Sequence, residues 1–479
     1  MNLSNIKIPH TFIFLFLIIV FCAALSYVIP SGTYQRESRV VHKIEQSVVV
    51  PGSFEEIPKN YSLKGVFIEE PKIGRASPNS VFGVLLAIPK GLTQSATLIF
   101  YIFILGAVFA LILETKTIHA VLAGLIKRFK NSPTLLFLLI YILISAGSSF
   151  MGISIEVIPL IPILVVLAKQ QGYDKMFGVA LGILPVSIGW STAITNPFTV
   201  QIAQQIAELP IGSGILFRVV IFLIGIVLGF GYLMRYGNKV RAKKRVSLAE
   251  FSKDDNLSTD EISGVILSKK HLIIVVVLVV GYGGILAAVQ LMGWGLLEMS
   301  AGFLGIGLAA MWISGMSGKE SMAAFEKGLR MMIIPALIVG VARGISVVMQ
   351  ESQIMDSILF HFSNALSVLP KSVATVGMLV FQSFLNFFIP SASGQALVSM
   401  PLMTPLADIL GFSRQTAVLA FILGDGFSNL IIPTNAVLMA MIGVVSVSFT
   451  KWIRFVMPIF IMLMIMAAIS MVVAVTIGY

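Results

Sequence analysis

Apolar residues in this chain come in long, nearly unbroken runs. They do not fall into the alternating or 3.6-residue stripes of half-exposed elements. Each run of about 20 residues is long enough, as a helix, to cross a hydrocarbon layer of ~30 Å. The pattern predicts helices over 11–30, 94–113, 176–207, 211–236, 271–292, 296–316, 326–349, 413–446 and 450–475. The first run resembles a signal peptide but is too long and has no clean small-residue cleavage site, so it reads as a retained helix or signal anchor. Two polar segments stand out, a long loop over 31–79 and a hydrophilic stretch over 235–270.

The decapeptide STAITNPFTV at 191–200 interrupts the third run. Pro197 has no backbone N–H and biases Asn196 away from helical dihedrals. FSNLIIPTN at 427–435 interrupts the eighth run in the same manner. Broken backbone at membrane depth survives only where protein or a water-filled cavity surrounds it. Two further apolar stretches, 132–170 and 370–410, are each split by a polar tip, SSFMGISIE and NFFIPSASGQ. Their arms of about 15 residues are short for full crossings, so both are expected to be re-entrant hairpins.

Charge decides orientation. The 235–270 stretch holds nine Lys or Arg against five acids, and Lys116, Lys127, Arg128 and Lys130 cluster after the second run. Both regions are placed in the cytoplasm by the positive-inside rule, and hairpins at 132–170 and 370–410 make that topology close. The net charge of +11 is thereby explained without a nucleic-acid partner. Cys22 is the single cysteine and can form no internal disulfide, and the five histidines show no metal-ligand spacing.

A shift of 239 residues superposes the two halves: Ser154 on Ser393, Glu156 on Gln395, Pro162 on Pro401, Gly172 on Gly411, and Thr195–Asn196 on Thr434–Asn435. ILGAVFALI at 104–112 resembles IVGVARGIS at 338–346. With three spans between the halves, the second repeat is inverted. Inverted repeats with discontinuous helices mark secondary transporters whose site lies at the midplane.

The expected architecture is an all-α polytopic membrane protein, an inverted-repeat transporter with two hairpins and two broken helices. Its parts are an N-terminal helix and external loop (1–93), a first repeat (94–236), a basic loop and linking helices (237–325), and a second repeat (326–479). The expected substrate-binding set is Ser154, Glu156, Thr195, Asn196, Ser393, Gly394, Gln395, Thr434 and Asn435. Helix ends freed at the breaks offer N–H groups to a carboxylate and carbonyls to a cation. Glu156 and Asp425 lie deep in apolar surroundings, where a carboxylate is functional by default. With Asn429 they are the candidates for ion coupling, to Na⁺ near Asn196 and Asn435 or to H⁺. Trp190, Arg343 and Asn386 are secondary candidates, and Arg343 either pairs with a carboxylate of the chain or of a substrate, or snorkels. No cofactor is expected.

An enzymatic reading fits the residues poorly. LGDG at 423–426 and Tyr173–Asp174 are close to the paired motifs of intramembrane aspartyl proteases, but Ile422 occupies the first glycine position and Asp174 sits beside Lys175 at a helix start. A continuous channel fits two broken helices less well than alternating access does.

TNPFTVQIAQQIAELPIGSG at 195–214 and NFFIPSASGQALVSMPLMTPLADILGFSRQTAVLAFILGDGFSNLIIPTNAVLMA at 386–440 strongly resemble the YfcC family, in the DcuC-like branch of the ion transporter superfamily. The resemblance implies a homodimer in the cytoplasmic membrane, a scaffold and a transport domain in each protomer, and an elevator movement. Members of that family carry C4-dicarboxylates or exchange basic amino acids. Its first hairpin tip commonly reads GMAEE, whereas this chain reads GISIE at 152–156, so Ile155 replaces one acid and Glu156 remains. If that acid contacts a cationic group, the substrate here carries less positive charge. The function expected is an ion-coupled symporter or exchanger of a small carboxylate-bearing metabolite, an amino acid such as a basic one. A C4-dicarboxylate or short-chain organic anion carrier is the alternative, with a channel or a protease more distant.

Overall fold

The computed structural model describes residues 11–41, 44–70, 72–129, 132–251, 267–292 and 294–479. His10, His42, Lys130 and the hydrophilic 252–266 stretch lie outside the described residues. Helix α1 (Thr11–Leu25) leads into strands β1 (Ser31–Thr33), β2 (Arg36–Val41), β3 (Ile44–Val49) and β4 (Glu55–Ile57), then α2 (Leu63–Phe67). Next come α3 (Val81–Gln94), α4 (Ala96–Glu114), α5 (Thr117–Arg128) and α6 (Pro133–Met151). A 3₁₀ turn (Ile155–Leu160) leads to α7 (Ile161–Gln170), α8 (Lys175–Thr192), α9 (Val200–Ile206) and α10 (Ile215–Arg241). After the basic stretch follow α11 (Lys269–Met292), α12 (Leu296–Ser314), α13 (Gly318–Glu351) and α14 (Met355–Ser367). The chain closes with α15 (Lys371–Phe388), α16 (Ala392–Leu410), α17 (Arg414–Ser428), α18 (Ala436–Gly443) and α19 (Phe449–Ile477).

Seven of the described helices, α4, α6, α8, α10, α12, α13 and α19, are long and apolar enough to span a membrane. The expected bounds hold within a few residues for most runs, with three differences. α1 stops at Leu25 rather than at 30, where the Ser26 hydroxyl turns back to bond the Ala23 carbonyl. α13 starts at Gly318, earlier than expected, because Ser317 and Glu320 form a reciprocal capping box ahead of the apolar run. At 34 residues it is about 50 Å long, well beyond a bilayer's hydrocarbon depth. The 31–79 loop is partly ordered structure: β1 pairs antiparallel with β4 and β2 with β3. The Ser31 hydroxyl and the Tyr34 amide bond to Ser352 and Asp356, which ties this layer to the end of α13 and the start of α14.

Two helices form the centre. Every residue of α8 except Trp190 is buried, and so is every residue of α17 except Arg414. A helix that is apolar all round belongs in a core. α17 packs on α8, and α6, α7 and α10 pack around α8, while α15, α16 and α19 pack around α17. Small residues permit the close approach: a Cβ on Gly426 would sit 2.3 Å from the Ser191 Cα, and one on Gly189 would sit 2.2 Å from the Ser145 carbonyl. A second, smaller apolar cluster joins α4, α11 and α12 through Tyr101, Leu105, Ile285, Met299 and Phe303.

Candidate functional site

Both central helices are followed by a break and a second, short helix. α8 ends at Thr192, Ala193 takes the sparsely allowed φ of +22°, and the chain resumes as α9 at Val200. α17 ends at Ser428 and the chain resumes as α18 at Ala436. Here the Asn435 side chain caps α18 by accepting from the Val437 and Leu438 amides at 2.9 and 3.2 Å.

A cavity of about 340 Å³ opens beside these breaks, bounded on one side by Leu98 of α4 and by Leu296 and Met299 of α12. Of the residues singled out from the sequence, Ser154, Glu156, Trp190, Ser393, Asp425, Asn429 and Asn435 line it. Apolar side chains such as Ile183, Val186 and Met441 complete the wall. Among the described residues its lining includes two carboxylates and no Lys, Arg or His.

Each carboxylate is held on one side. The Trp190 indole Nε1 donates to Asp425 Oδ2 at 3.1 Å, and Asp425 is 1% exposed. Tyr101 OH donates to Glu156 Oε1 at 3.0 Å, and the Ser154 amide donates to Oε2 at 2.9 Å. Asn386 lies behind Asp425: its Nδ2 donates to the Asp425 carbonyl, the Ser428 hydroxyl and Asn429 Oδ1 at 2.8, 2.8 and 3.0 Å. It thus ties α15 to the end of α17. The buried Asn386 Oδ1 and Thr434 Oγ1 make no hydrogen bond, leaving two acceptors near the second break.

The other singled-out residues lie outside the cavity lining. Thr195 and Asn196 bind the first break to α6: Thr195 Oγ1 donates to the Phe150 carbonyl at 2.9 Å and Asn196 Nδ2 to the Ser148 carbonyl at 3.3 Å. Gly152, at φ +75°, ends α6 so close to this break that a Cβ would meet Asn196 Oδ1 at 2.8 Å and the Phe198 ring at 2.6 Å. Gln395 is buried against Gln382, donating to its carbonyl and Oε1 at 2.9 and 2.7 Å. Gly394 and Arg343 line a separate cavity. Arg343 donates to Gln94 Oε1 at 3.3 Å and makes no ion pair among the described residues, so pairing with a carboxylate of the chain is not seen there, which leaves a substrate carboxylate or snorkelling.

Sequence reasoning missed Tyr101, Arg218 and Trp452. Arg218 is fully buried; its Nη2 donates to the Ile194 carbonyl at 3.2 Å and its Nη1 to the Ser213 carbonyl at 2.7 Å. Trp452 Nε1 donates to the Leu430 carbonyl at 2.8 Å. Each satisfies a carbonyl that a helix break leaves free. A buried Arg inside an apolar run was the one available signal.

The protease geometry is absent. Asp174 caps α8 and accepts from Tyr236 and Ser247, 16 residues before the Trp190 that touches Asp425, or about 24 Å along the helix. Two aspartates that share a proton cannot be so placed. No cluster of three or more His, Cys, Asp or Glu that could hold a metal ion occurs among the described residues.

Crossing-length helices around an internal polar cavity define a multi-pass membrane protein. The chain belongs to the DcuC family, described as C4-dicarboxylate anaerobic carriers, whose profile matches residues 8–476. It is a membrane transport protein, not an enzyme. An uncharacterized protein of Haemophilus influenzae is 30% identical over 502 residues, covering 99% of this chain and 98% of that one. The "Putative basic amino acid antiporter YfcC" of Escherichia coli is 29% identical over 500 residues, covering 98% and 97%. Among solved structures, the YdaH transporter of Alcanivorax borkumensis matches with a TM-score of 0.47 at 15% identity, covering 98% of this chain and 99% of that one. MtrF of Neisseria gonorrhoeae matches with a TM-score of 0.46 at 15% identity, covering 100% and 97%.

Proposed function

We propose that this protein is an ion-coupled secondary carrier, in the cytoplasmic membrane, of an amino acid with a cationic side group. The observation that carries the reading is the cavity lined by Glu156 and Asp425 with no basic side chain among the described residues. Two carboxylates in a low-dielectric cleft favour an ammonium or guanidinium group and repel a dicarboxylate. The solute's own carboxylate would meet Ala392 and Ser393, whose N–H groups open the first turn of α16. The apolar wall suits the methylene chain between. The name given to the Escherichia coli relative agrees with this assignment, whereas the family description favours the dicarboxylate alternative.

Coupling to Na⁺ or H⁺ would use Asp425 and the free acceptors Asn386 Oδ1 and Thr434 Oγ1. An inverted repeat is supported by recurring elements. α8 and α17 begin at Lys175 and Arg414, 239 residues apart, and each is followed by a break, a short helix and a long final helix. On this reading the pairs α6–α7 and α15–α16 are re-entrant hairpins. The α4–α11–α12 cluster would be a scaffold against which the rest moves as an elevator, within a homodimer.

The test is counterflow in proteoliposomes, with L-arginine, L-ornithine, neutral amino acids, succinate and acetate under imposed Na⁺ or H⁺ gradients. Arginine or ornithine should exchange. Asp425→Asn and Glu156→Gln should each lower the rate by about tenfold or more, since a lost charge contact is worth roughly 1.5–3 kcal/mol. Uptake of succinate without arginine would install the dicarboxylate reading, and no uptake above empty vesicles would remove the carrier assignment.

A further inference from the structure

A second cavity, of about 440 Å³, lies on the far side of the segment that joins α15 to α16. The two cavities meet at Ser391, which lines both. Of the next residues, Ser393 faces the first and Gly394 the second, so the partition is one segment of chain thick. The second cavity has the opposite charge. Arg36, Arg343 and Asp356 line it, two guanidinium groups against one carboxylate. That carboxylate is already committed. Arg36 Nη2 donates to both Asp356 oxygens at 2.9 and 3.0 Å, and the Tyr34 amide donates to Oδ2 at 3.0 Å.

Arg343 is therefore uncompensated. Among the described residues its hydrogen-bond partner is the neutral Gln94 amide, and the acid two turns along the same helix, Glu351, is ion-paired to Lys90. A half-buried guanidinium in an apolar helix without a counter-ion is costly to retain, and a planar fork of donors matches a carboxylate. The rest of the lining is neutral, with Thr33, Gln350 and Gln353 polar and Ile389, Leu397 and Val398 apolar.

We propose that this second cavity is a carboxylate-receiving antechamber in which Arg343 holds the acid group of an incoming solute before the solute reaches the acidic cavity. The two would then read opposite ends of one zwitterion, the carboxylate first and the cationic group second. Thr33 and Arg36 place the antechamber on the side of the β layer, which the charge asymmetry of the loops assigns to the outside. This rests on the carrier reading above, and its test is independent of transport.

Cys22, buried and the single cysteine, can be replaced by Ser, and the exposed Gln350 by Cys. The full-length protein in liposomes is then reacted with an anionic and a cationic methanethiosulfonate, each rate normalised to that with a free small thiol. The anionic reagent should react about threefold or more faster at low salt, and the preference should fade as salt screens the field. Acetate or succinate should slow the reaction. Arg343→Gln should abolish the preference and Arg343→Lys retain it; the Lys variant also checks that the fold tolerates the change. Equal normalised rates, or a preference unchanged by Arg343→Gln, would overturn the proposal. If labelling shows the preference but no solute is transported, the antechamber stands as an anion site and the carrier reading fails.

Discussion

At Asp425 one side chain combines deep burial with exposure to a cavity. Among the described residues its carboxylate has a single side-chain donor, Trp190, and Asp425 lines the cavity, which leaves acceptor sites for a solute or a cation. Asn386 supports it by holding the backbone on which it sits. Replacing Asn386 by Ala would leave the Ser428 hydroxyl and Asn429 amide without that donor and loosen the α17 terminus. We expect a loss of roughly 1–3 kcal/mol in stability, read as a lower thermal midpoint in detergent. Trp190→Phe keeps an aromatic ring at this half-exposed position but is smaller and removes the N–H. It should change the pH profile of transport with little change in the thermal midpoint, whereas a purely structural tryptophan would do the reverse. Gln395 and Glu156 sit at equivalent positions of the 239-residue match and have different surroundings. Glu156 lines the cavity, and Gln395 is locked to Gln382. The sequence marks both as polar at a tip; only packing separates them.

Elements carry the next set of expectations. α8 and α17 are too buried to act as ordinary lipid-facing spans, and their breaks persist because other helices satisfy the freed carbonyls. Arg218 of α10 reaches Ile194 and Ser213 with two nitrogens of one fork. A Lys ammonium lacks that fork, so Arg218→Lys should lower the thermal midpoint, by a stability loss of about 1–3 kcal/mol, although charge is conserved. Gly426 meets the Ser191 backbone with no room for a methyl. Gly426→Ala must push α17 off α8 and should cost about 1–3 kcal/mol through overpacking, besides distorting the Trp190–Asp425 contact. The breaks themselves were legible in advance because Pro197 and Pro433 follow long apolar runs. The strands between 31 and 57 were not, since two short ribbons are marginal alone and here bond to residues some 320 positions away.

For the whole molecule, the cavity occupies the seam between two apolar clusters, and the Tyr101–Glu156 hydrogen bond crosses it. If transport requires sliding along this seam, fastening it must stop turnover. Cysteines at Leu98 and Ile155, in a Cys22→Ser background, flank the seam, because α4 packs on the 3₁₀ turn. A short bifunctional thiol reagent should abolish counterflow, and a reducible version should restore it on reduction. Full activity after complete cross-linking would rule out relative motion there.

By itself the sequence determined the membrane class, the position of most apolar helices, the two interruptions and the family. Each of these follows from local facts: run length against bilayer thickness, proline chemistry, and motifs contiguous in the chain. Seven of the singled-out polar residues also line the one cavity, because a polar group inside an apolar run has few places to be. The tertiary structure alone decided which polar groups face open space and which are spent on one another. Asn196 and Gln395 bond inward, Arg218 and Trp452 cap the breaks from distant helices, and Arg343 faces a different cavity from Asp425. The physical reason is that a hydrogen bond is short and directional, so a side chain's role depends on which distant element arrives within about 3 Å of it.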